Sequence, residues 1–220
     1  MLPTVREYAA ERLGDKAETV RQHHAEHFLN VLGRADDQIR GKEQMAGIYR
    51  TTADLENIRA GMDTAVRNVD HPTVVTYSQA FHTYFLMKGL FAEMLRRGHQ
   101  GLTSAEVLED DELIAGCRNN LGIAYRNLPT GDRGENLKKA IECFKAALRV
   151  YTEDGFPVYW AETRNNLGAA YADLPTGNRG ENLKKAIGYY ESAIRGFETT
   201  GLADEAEEVR RRLDSLKGEG

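Results

Sequence analysis

A stretch of 24 residues occurs twice in this chain, and no other feature limits the fold as strongly. The sequence RNNLGIAYRNLPTGDRGENLKKAI begins at Arg118, and RNNLGAAYADLPTGNRGENLKKAI begins at Arg164, 46 residues later. The copies are identical at 20 of 24 positions, and the identity includes the turn-forming segments PTG and RGEN. Such a duplication predicts stacked copies of one supersecondary unit, each of which buries its apolar face against the next.

Apolar residues recur at helical spacing through most of the chain, which predicts an all-α protein. In the first copy, Leu121, Gly122 and Tyr125 fall on one helix, and Ala140 and Phe144 fall on a second helix. The small residues allow the two helices to approach closely, and the aromatic residues fill the space between them. Upstream of the copies, the pattern predicts helices over residues 17–40, 43–68, 73–87 and 90–99.

The pattern of Leu, Gly and Tyr followed by Ala and Phe resembles the tetratricopeptide repeat (TPR) family over residues 113–200. This resemblance implies a right-handed α-solenoid of helical hairpins. The usual TPR period is about 34 residues, whereas this period is 46 residues. Two segments account for the extra length: LPTGDRGEN within a hairpin and DGFPVYW between hairpins. The Asn pairs also resemble kinesin light chain TPRs, in which asparagines of the first helix bond the backbone of an extended peptide.

A third unit starts at the same offset with EEVRRRLDSL, where Leu213 takes the place of Leu121 and Leu167. Its one apolar face and one charged face are typical of a capping helix. The acidic segment SAEVLEDDE, just before the first copy, is the clearest candidate boundary. The expected organisation is a helical region at 1–70, a divergent TPR-like hairpin at 71–112, TPR units at 113–158 and 159–201, and a capping helix and tail at 202–220.

The N-terminal part resembles a second family. The segments MLPTVREYAAERL, RQHHAEHFLNV and DLENIRAGMDTAV are similar to the region after the winged-helix domain of bacterial STAND NTPases, which include NB-ARC-like and MalT-like regulators. The resemblance covers residues 1–70 and implies the sensor end of a larger signalling switch. No GxxxxGK[ST] P-loop occurs in the chain, so we expect no ATP binding of that family's kind.

The charge and hydropathy of the chain exclude several classes of function. The net charge is −5 and the pI is about 5.7, which opposes a general nucleic-acid-binding role. No apolar run approaches the roughly 20 residues that span a bilayer, and the N-terminus lacks the apolar core of a signal peptide. We therefore expect a soluble, cytoplasmic protein without a membrane partner. Two cysteines, Cys117 and Cys143, have no counterparts in the second copy, which favours buried apolar roles.

The candidate binding residues follow from the position of the Asn pair in each copy. In the TPR pattern, the residue two positions before Leu-Gly faces the concave surface, and the positions four and seven further on lie on the same stripe. Asn is a mediocre helix former, so its presence in both copies needs a reason: an amide that bonds a ligand backbone, or a bond between repeats or to the inserted loop. Asn120 and Asn166 are assigned to bonds with the adjacent loop or repeat. The candidate groove residues are Asn119, Ile123, Arg126, Asn165, Ala169 and Arg211.

Other motifs favour structural roles. His23 and His27 of HHAEH are one helical turn apart, but no further ligand completes a metal site. The glycines of PTGDRGEN serve a turn, in which Arg133 and Glu135 could pair locally. Neither a GxSxG nucleophile elbow nor a Cys–His signature is present. We expect no catalytic residues, no metal and no cofactor.

These observations favour a protein-interaction module that binds a protein or peptide segment in its concave groove, as the sensor part of a STAND-type regulator. Two alternatives stay open. The repeats could instead drive self-association into a homo-oligomer, or the protein could sense a small molecule in a pocket with aromatic walls. Candidates for such walls are Tyr125, Tyr159 and Trp160.

Overall fold

The computed structural model describes residue 12 and residues 14–218, and these residues form helices and turns without a β-strand. The predicted all-α class is confirmed. Of the segment MLPTVREYAAERL, all but Arg12 lies outside the described residues. Ten α-helices follow a short 3₁₀ helix, Gly14–Lys16, within the described part. They are α1 (Ala17–Arg40), α2 (Gln44–Ala53), α3 (Leu55–Arg67), α4 (His71–Lys88), α5 (Phe91–Val107), α6 (Asp111–Asn127), α7 (Arg133–Ala147), α8 (Pro157–Asp173), α9 (Arg179–Thr199) and α10 (Ala203–Gly218).

Consecutive helices pack against each other along the whole chain. Each copy of the repeated sequence forms one pair of packed helices, α6 with α7 and α8 with α9. The copies are joined because α7 packs on α8. Helices two apart also touch, since α4 contacts α6 and α6 contacts α8. Helices α4, α6 and α8 therefore lie side by side and form a common surface.

The close approach within each helix pair depends on a glycine that faces an aromatic ring. A Cβ atom at Gly122 would lie 2.5 Å from the ring of Phe144, which is completely buried. In the second copy, a Cβ atom at Gly168 would lie 2.7 Å from the ring of Tyr190. Carbon atoms normally approach to about 3.5–4.0 Å. The predicted role of the small residues in helix pairing is thus confirmed in both copies.

The PTGDRGEN turn is held by bonds that the sequence repeats. Gly131 has a φ of 82°, a left-handed conformation that favours glycine. The Asp132 side chain accepts a hydrogen bond from the backbone N–H of Glu135 at 2.8 Å and so caps α7. The Asn136 side chain donates to the Thr130 carbonyl at 2.8 Å. The counterparts in the second copy are Gly177, Asn178, Glu181, Asn182 and Thr176.

Arg133 links the two copies and does not pair with Glu135, contrary to the prediction. Its guanidinium donates to the Arg126 carbonyl and pairs with the Asp173 carboxylate at 3.2 Å. Glu135 pairs instead with Lys138 at 2.8 Å. Arg133 lies at the first position of α7, where its side chain reaches across the end of α6 toward the second copy.

The N-terminal half has a core of its own around α4. The rings of Phe81 and Phe85 stack at 4.5 Å, and the Tyr77 hydroxyl donates to the Ala25 carbonyl of α1 at 2.5 Å. The start of α4 follows the prediction, because Pro72 lies in its first turn. Leu32, Ile58 and Met62 from α1 and α3 are fully buried against this aromatic cluster.

One long helix was expected over residues 43–68, but it is divided into α2 and α3 at Asp54. The hydroxyls of Thr51 and Thr52 donate to the carbonyls of Gly47 and Ile48, four residues earlier. Such bonds compete for carbonyls of the helical ladder, but Thr76 and Thr163 form them within α4 and α8 without a break, so they do not by themselves account for the division. The apolar periodicity continues across the bend, so periodicity alone did not reveal it.

The helix expected over residues 90–99 extends to Val107, so part of the acidic segment SAEVLEDDE is helical. Residues 108–110 form a tight turn in which Glu109 has a φ of 54°, and Asp111 and Glu112 begin α6. Asp110 then caps α6, because its side chain accepts from the Leu113 N–H at 3.0 Å. Helix α5 packs directly on α6 across this turn.

Candidate functional site

Side chains from α4, α6 and α8, together with Arg40 at the end of α1 and Tyr151 after α7, line a cavity of about 670 Å³, which we call the groove. On α4 and α6 they follow the spacing i, i+3, i+4, i+7, which is one face of an α-helix, and α8 continues the same register. The three stripes consist of Gln79, His82, Thr83 and Leu86 on α4, Gly116, Asn119, Asn120 and Ile123 on α6, and Glu162, Asn165 and Asn166 on α8.

Asn119 and Asn165 both line the groove, and both also contact the next helix of the series. The Oδ1 atom of Asn119 lies 3.3 Å from the Thr163 hydroxyl of α8, and the Oδ1 atom of Asn165 accepts from Arg212 of α10 at 3.4 Å. The single hydroxyl proton of Thr163 also bonds the Tyr159 carbonyl at 2.7 Å. The Asn119 oxygen therefore keeps capacity to accept a bond from a ligand.

Asn120 and Asn166 occupy the groove rather than the positions predicted for them. They were expected to bond the adjacent loop or repeat, but neither carboxamide has a hydrogen bond to any residue that the structure describes. This prediction is wrong because both side chains project into the open space between α4, α6 and α8. Each amide thus retains two donors and one acceptor that face the cavity.

The remaining predicted groove residues lie in three different environments. Ile123 lines the groove and also packs against the core. Ala169 has the same stripe position on α8 but is buried in the core. Arg126 is half-buried outside the groove, where burial lowers the pKa of its guanidinium while Asp173 opposes the shift. The structure therefore brings together Asn119, Ile123 and Asn165, but it does not bring Arg126 or Ala169 into the cavity.

Arg211 lies at the corresponding position of α10 and lines a separate hollow. This hollow has a volume of about 420 Å³ and is also lined by Tyr190, Glu208 and Arg212. Arg212, which bonds Asn165, lies between this hollow and the groove. Arg211 thus shares the stripe register of the Asn residues without sharing their cavity.

One end of the groove contains an aromatic and acidic cluster, in which Tyr159 was predicted as an aromatic wall and the other members were not predicted. The rings of Tyr151 and Tyr159 stack at 5.1 Å, and the carboxylates of Glu112 and Glu162 lie near the Tyr151 hydroxyl. Burial raises the pKa of Tyr151, and the negative charge around it raises that pKa further. A signal was present in the sequence, because Glu162 stands where the first copy has Gly116.

The other aromatic candidates lie away from the groove. Trp160 is buried against α9 and lies under the guanidinium of Arg164, which is 4.8 Å from its ring. Tyr125 packs against His99 and lies below the ammonium of Lys139. Of the three predicted aromatic wall residues, Tyr159 alone lines the groove.

His82 is a further groove residue that sequence reasoning missed. Its Nδ1 atom is buried and has no hydrogen-bond partner among the described residues. Burial lowers the pKa of His82 to about 4, and the positive charge of Arg40 adds to this effect. The imidazole is therefore neutral at pH 7, and it presents a polar edge without a protein partner.

The two cysteines and the HHAEH histidines lie elsewhere. Burial raises the pKa of the Cys117 thiol to about 12 and that of Cys143 to about 11, so both thiols are protonated and unreactive at neutral pH. His23 and His27 are exposed on α1. Within the described part of the chain, no group of three or more His, Cys, Asp or Glu residues is arranged to hold a metal ion.

This chain matches no protein-family model, and no curated protein matches it significantly. The described helices also contain no segment that is both long and apolar enough to cross a membrane. The polar side chains that line the groove are four asparagines, two tyrosines, two glutamates, Gln79, Thr83, Arg40 and the neutral His82.

Proposed function

We propose that this protein is an interaction module that binds an extended segment of a partner protein in the groove. The proposed architecture is a right-handed α-solenoid of TPR-like hairpins with a 46-residue repeat. The repeat in the sequence, the pairing of α6 with α7 and of α8 with α9, and the contacts of α4 with α6 and α6 with α8 all support it. In such an array, the first helices of successive hairpins line one continuous surface.

The observation that carries the proposal is the set of amides that face the cavity. Asn120 and Asn166 come from equivalent positions on adjacent helices, and the described residues offer neither of them a hydrogen-bond partner. An amide that donates and accepts matches a peptide backbone, which presents N–H and C=O groups in alternation. Asn119 and Asn165 add a second such pair one position earlier.

The dimensions of the groove set the length of the bound segment. Packed helices are about 8–10 Å apart, so three helices side by side span about 20 Å. An extended chain covers about 3.3 Å per residue. The groove therefore suits a segment of about six residues.

The resemblance of the N-terminal part to STAND NTPases supports a role as the sensor of a signalling switch. In such a switch, the bound segment favours one of two states because its affinity for them differs. This step rests on analogy with the family, whereas the binding proposal rests on the groove itself. A catalytic role is not proposed, because no nucleophile–base pair is formed by the groove residues.

The proposal is tested by selecting binders from a display library of random nine-residue peptides. The peptides selected on the wild-type protein are then measured by fluorescence anisotropy against the double variant Asn120→Ala and Asn166→Ala. We expect at least a tenfold loss of affinity and an unchanged melting temperature. The matched control is Lys138→Ala with Lys184→Ala, an exposed pair with the same 46-residue offset on α7 and α9, which should bind like the wild type.

Other outcomes would contradict the proposal. Equal affinity of both double variants would place binding outside the groove. If no peptide is selected and sedimentation shows association that rises with concentration, the repeats serve self-association. If no peptide is selected and a metabolite panel stabilises the protein against heat, the cavity is a small-molecule site, for which a volume of about 300–1,000 Å³ is usual.

A further inference from the structure

We propose that the end of the groove formed by Glu112, Tyr151, Tyr159 and Glu162 is a subsite for a positively charged side chain, arginine in preference to lysine, of the bound segment. This inference rests on the proposed function, because the charged group is assigned to a polypeptide that lies in the groove. The four residues come from three places in the chain: the first turn of α6, the segment after α7, and α8. Packing of α6, α7 and α8 brings them to one end of the cavity.

The guanidinium of Arg40 also lines the groove, but it forms its ion pair with Asp36 and with neither carboxylate. Within the described part of the chain, neither Glu112 nor Glu162 forms an ion pair. The cation whose charge acts on Glu162 is Arg40, which is itself paired with Asp36 at 2.8 Å. Glu205 of α10 adds further negative charge to the environment of Glu162. The carboxylates therefore outnumber the cations at this end of the groove, and a cation from a ligand would balance the excess negative charge.

The helix dipole accounts for the acidic residue at position 112 but not for Glu162. Glu112 lies in the first turn of α6, where a negative charge stabilises the helix dipole. Glu162 lies in the second turn of α8, beyond the strongest effect of the dipole, and the first copy has Gly116 in its place. Although Glu162 is exposed, the surrounding protein limits its hydration, which raises the pKa of its carboxyl. A ligand cation at this point would relieve the cost of ionising it.

Gly116 leaves space beside the Tyr151 hydroxyl in the subsite. A Cβ atom at this position would lie 3.3 Å from the Tyr151 hydroxyl, so a larger residue would crowd that hydroxyl. Tyr151 is buried, whereas Tyr159 is 49% exposed and stacks on it. The pair thus presents the ring of Tyr159 to the groove, packed against the buried ring of Tyr151.

An aromatic face beside two carboxylates is the combination that recognises an organic cation. A guanidinium stacks on the face of tyrosine and forms two parallel hydrogen bonds with a carboxylate. An ammonium lacks this planar fork, which is the reason for the preference for arginine. A metal ion fits poorly, because the described residues contain no cluster of three or more ligating side chains.

The test compares two labelled peptide pools by fluorescence anisotropy at one ionic strength. Both pools are octapeptides randomised at every position but one, which is arginine in the first pool and citrulline, its neutral isostere, in the second. We expect the wild-type protein to bind the arginine pool at least tenfold more tightly. Glu162→Gln should reduce the ratio of the two affinities, arginine pool over citrulline pool, to about two without changing the affinity for the citrulline pool. Tyr159→Leu should reduce the same ratio.

The matched control is Glu142→Gln, which removes the same charge from an exposed position on α7 and should keep the tenfold ratio. Thermal melting establishes that each variant is folded. Equal binding of both pools by the wild-type protein would overturn the subsite and leave the proposed function intact. If Glu142→Gln also loses the preference for the arginine pool, that preference arises from the net charge of the protein, which would also overturn the subsite.

Two further arms separate the sources of the cation. If spermidine or free arginine binds as tightly as the arginine pool and depends equally on Glu162, the site takes free amines and the peptide assignment is wrong. If neither pool binds at any concentration tested, both the proposed function and the subsite fail. Weak displacement of the arginine pool by free arginine is the expected result.

Discussion

Replacing Gly122 with alanine tests the contact that sets the distance between α6 and α7. The new Cβ atom would lie 2.5 Å from the Phe144 ring, about 1 Å inside normal carbon contact. Phe144 is completely buried, so its ring has no free space into which to move. Overpacking of this kind costs about 1–3 kcal/mol, while alanine gains about 1 kcal/mol over glycine in helix propensity. We expect a net loss of about 1 kcal/mol.

The matched control is Gly188→Ala on α9. This glycine also lies inside a helix, but a Cβ atom there meets no other atom within 4 Å. The control should gain about 1 kcal/mol from propensity alone. The two variants should therefore differ by about 2 kcal/mol, which corresponds to roughly 4–8 °C in melting temperature for a chain of this size.

Thermal melting followed by circular dichroism measures this difference. The double variant Gly122→Ala with Phe144→Leu, which removes the opposing ring atoms, should be less destabilised than the sum of its single changes. If Gly122→Ala melts as high as Gly188→Ala, the close packing of α6 on α7 is not a source of stability and the reasoning is refuted.

Two further predictions concern the groove histidine and a helix cap. Burial lowers the pKa of His82 to about 4 in the folded chain. Below about pH 6.5 the imidazole is therefore protonated in the unfolded chain while it is still neutral in the folded chain. The free energy of unfolding therefore decreases as the pH falls, by about 2 kcal/mol at pH 5 from this group. Between pH 7.5 and pH 5, the urea midpoint should fall less for His82→Gln than for the wild type. Asp132→Ala removes the cap of the Glu135 N–H and should cost about 1 kcal/mol in urea unfolding. Asp132→Asn, which copies Asn178 of the second unit, should stay near the wild type, and equal losses in the two variants would contradict the capping role.

The repeat predicted more of the fold than the upstream half of the chain did. In the copies, the close approach of the paired helices at a small residue and the turn after each first helix were predicted from the repeated sequence and its resemblance to the TPR pattern. Upstream, the same reasoning missed the division at Asp54 and the extension of α5 to Val107. The division at Asp54 leaves the apolar pattern of residues 43–68 undisturbed, so that pattern could not reveal it.

The groove residues were likewise predicted only in part from the sequence. Asn119 and Asn165 were predicted from their place on the repeated helix, and both line the groove. Asn120 and Asn166 were assigned to structural bonds because a sequence does not state how much space surrounds an amide. His82 was missed because it lies outside the repeat and its lack of a partner depends on burial.

By itself, the sequence determined the all-α class, the 46-residue unit, and the helix face on which Asn119 and Asn165 lie. These are local properties, because the spacing along one helix decides which side chains share a face. Only the tertiary structure decided which faces meet. Tyr151 lies near Glu112 and Glu162 because α6, α7 and α8 pack together. No local sequence pattern predicts that proximity. The charge of the groove, and with it the kind of ligand proposed, depends on packing between residues that are far apart in the chain.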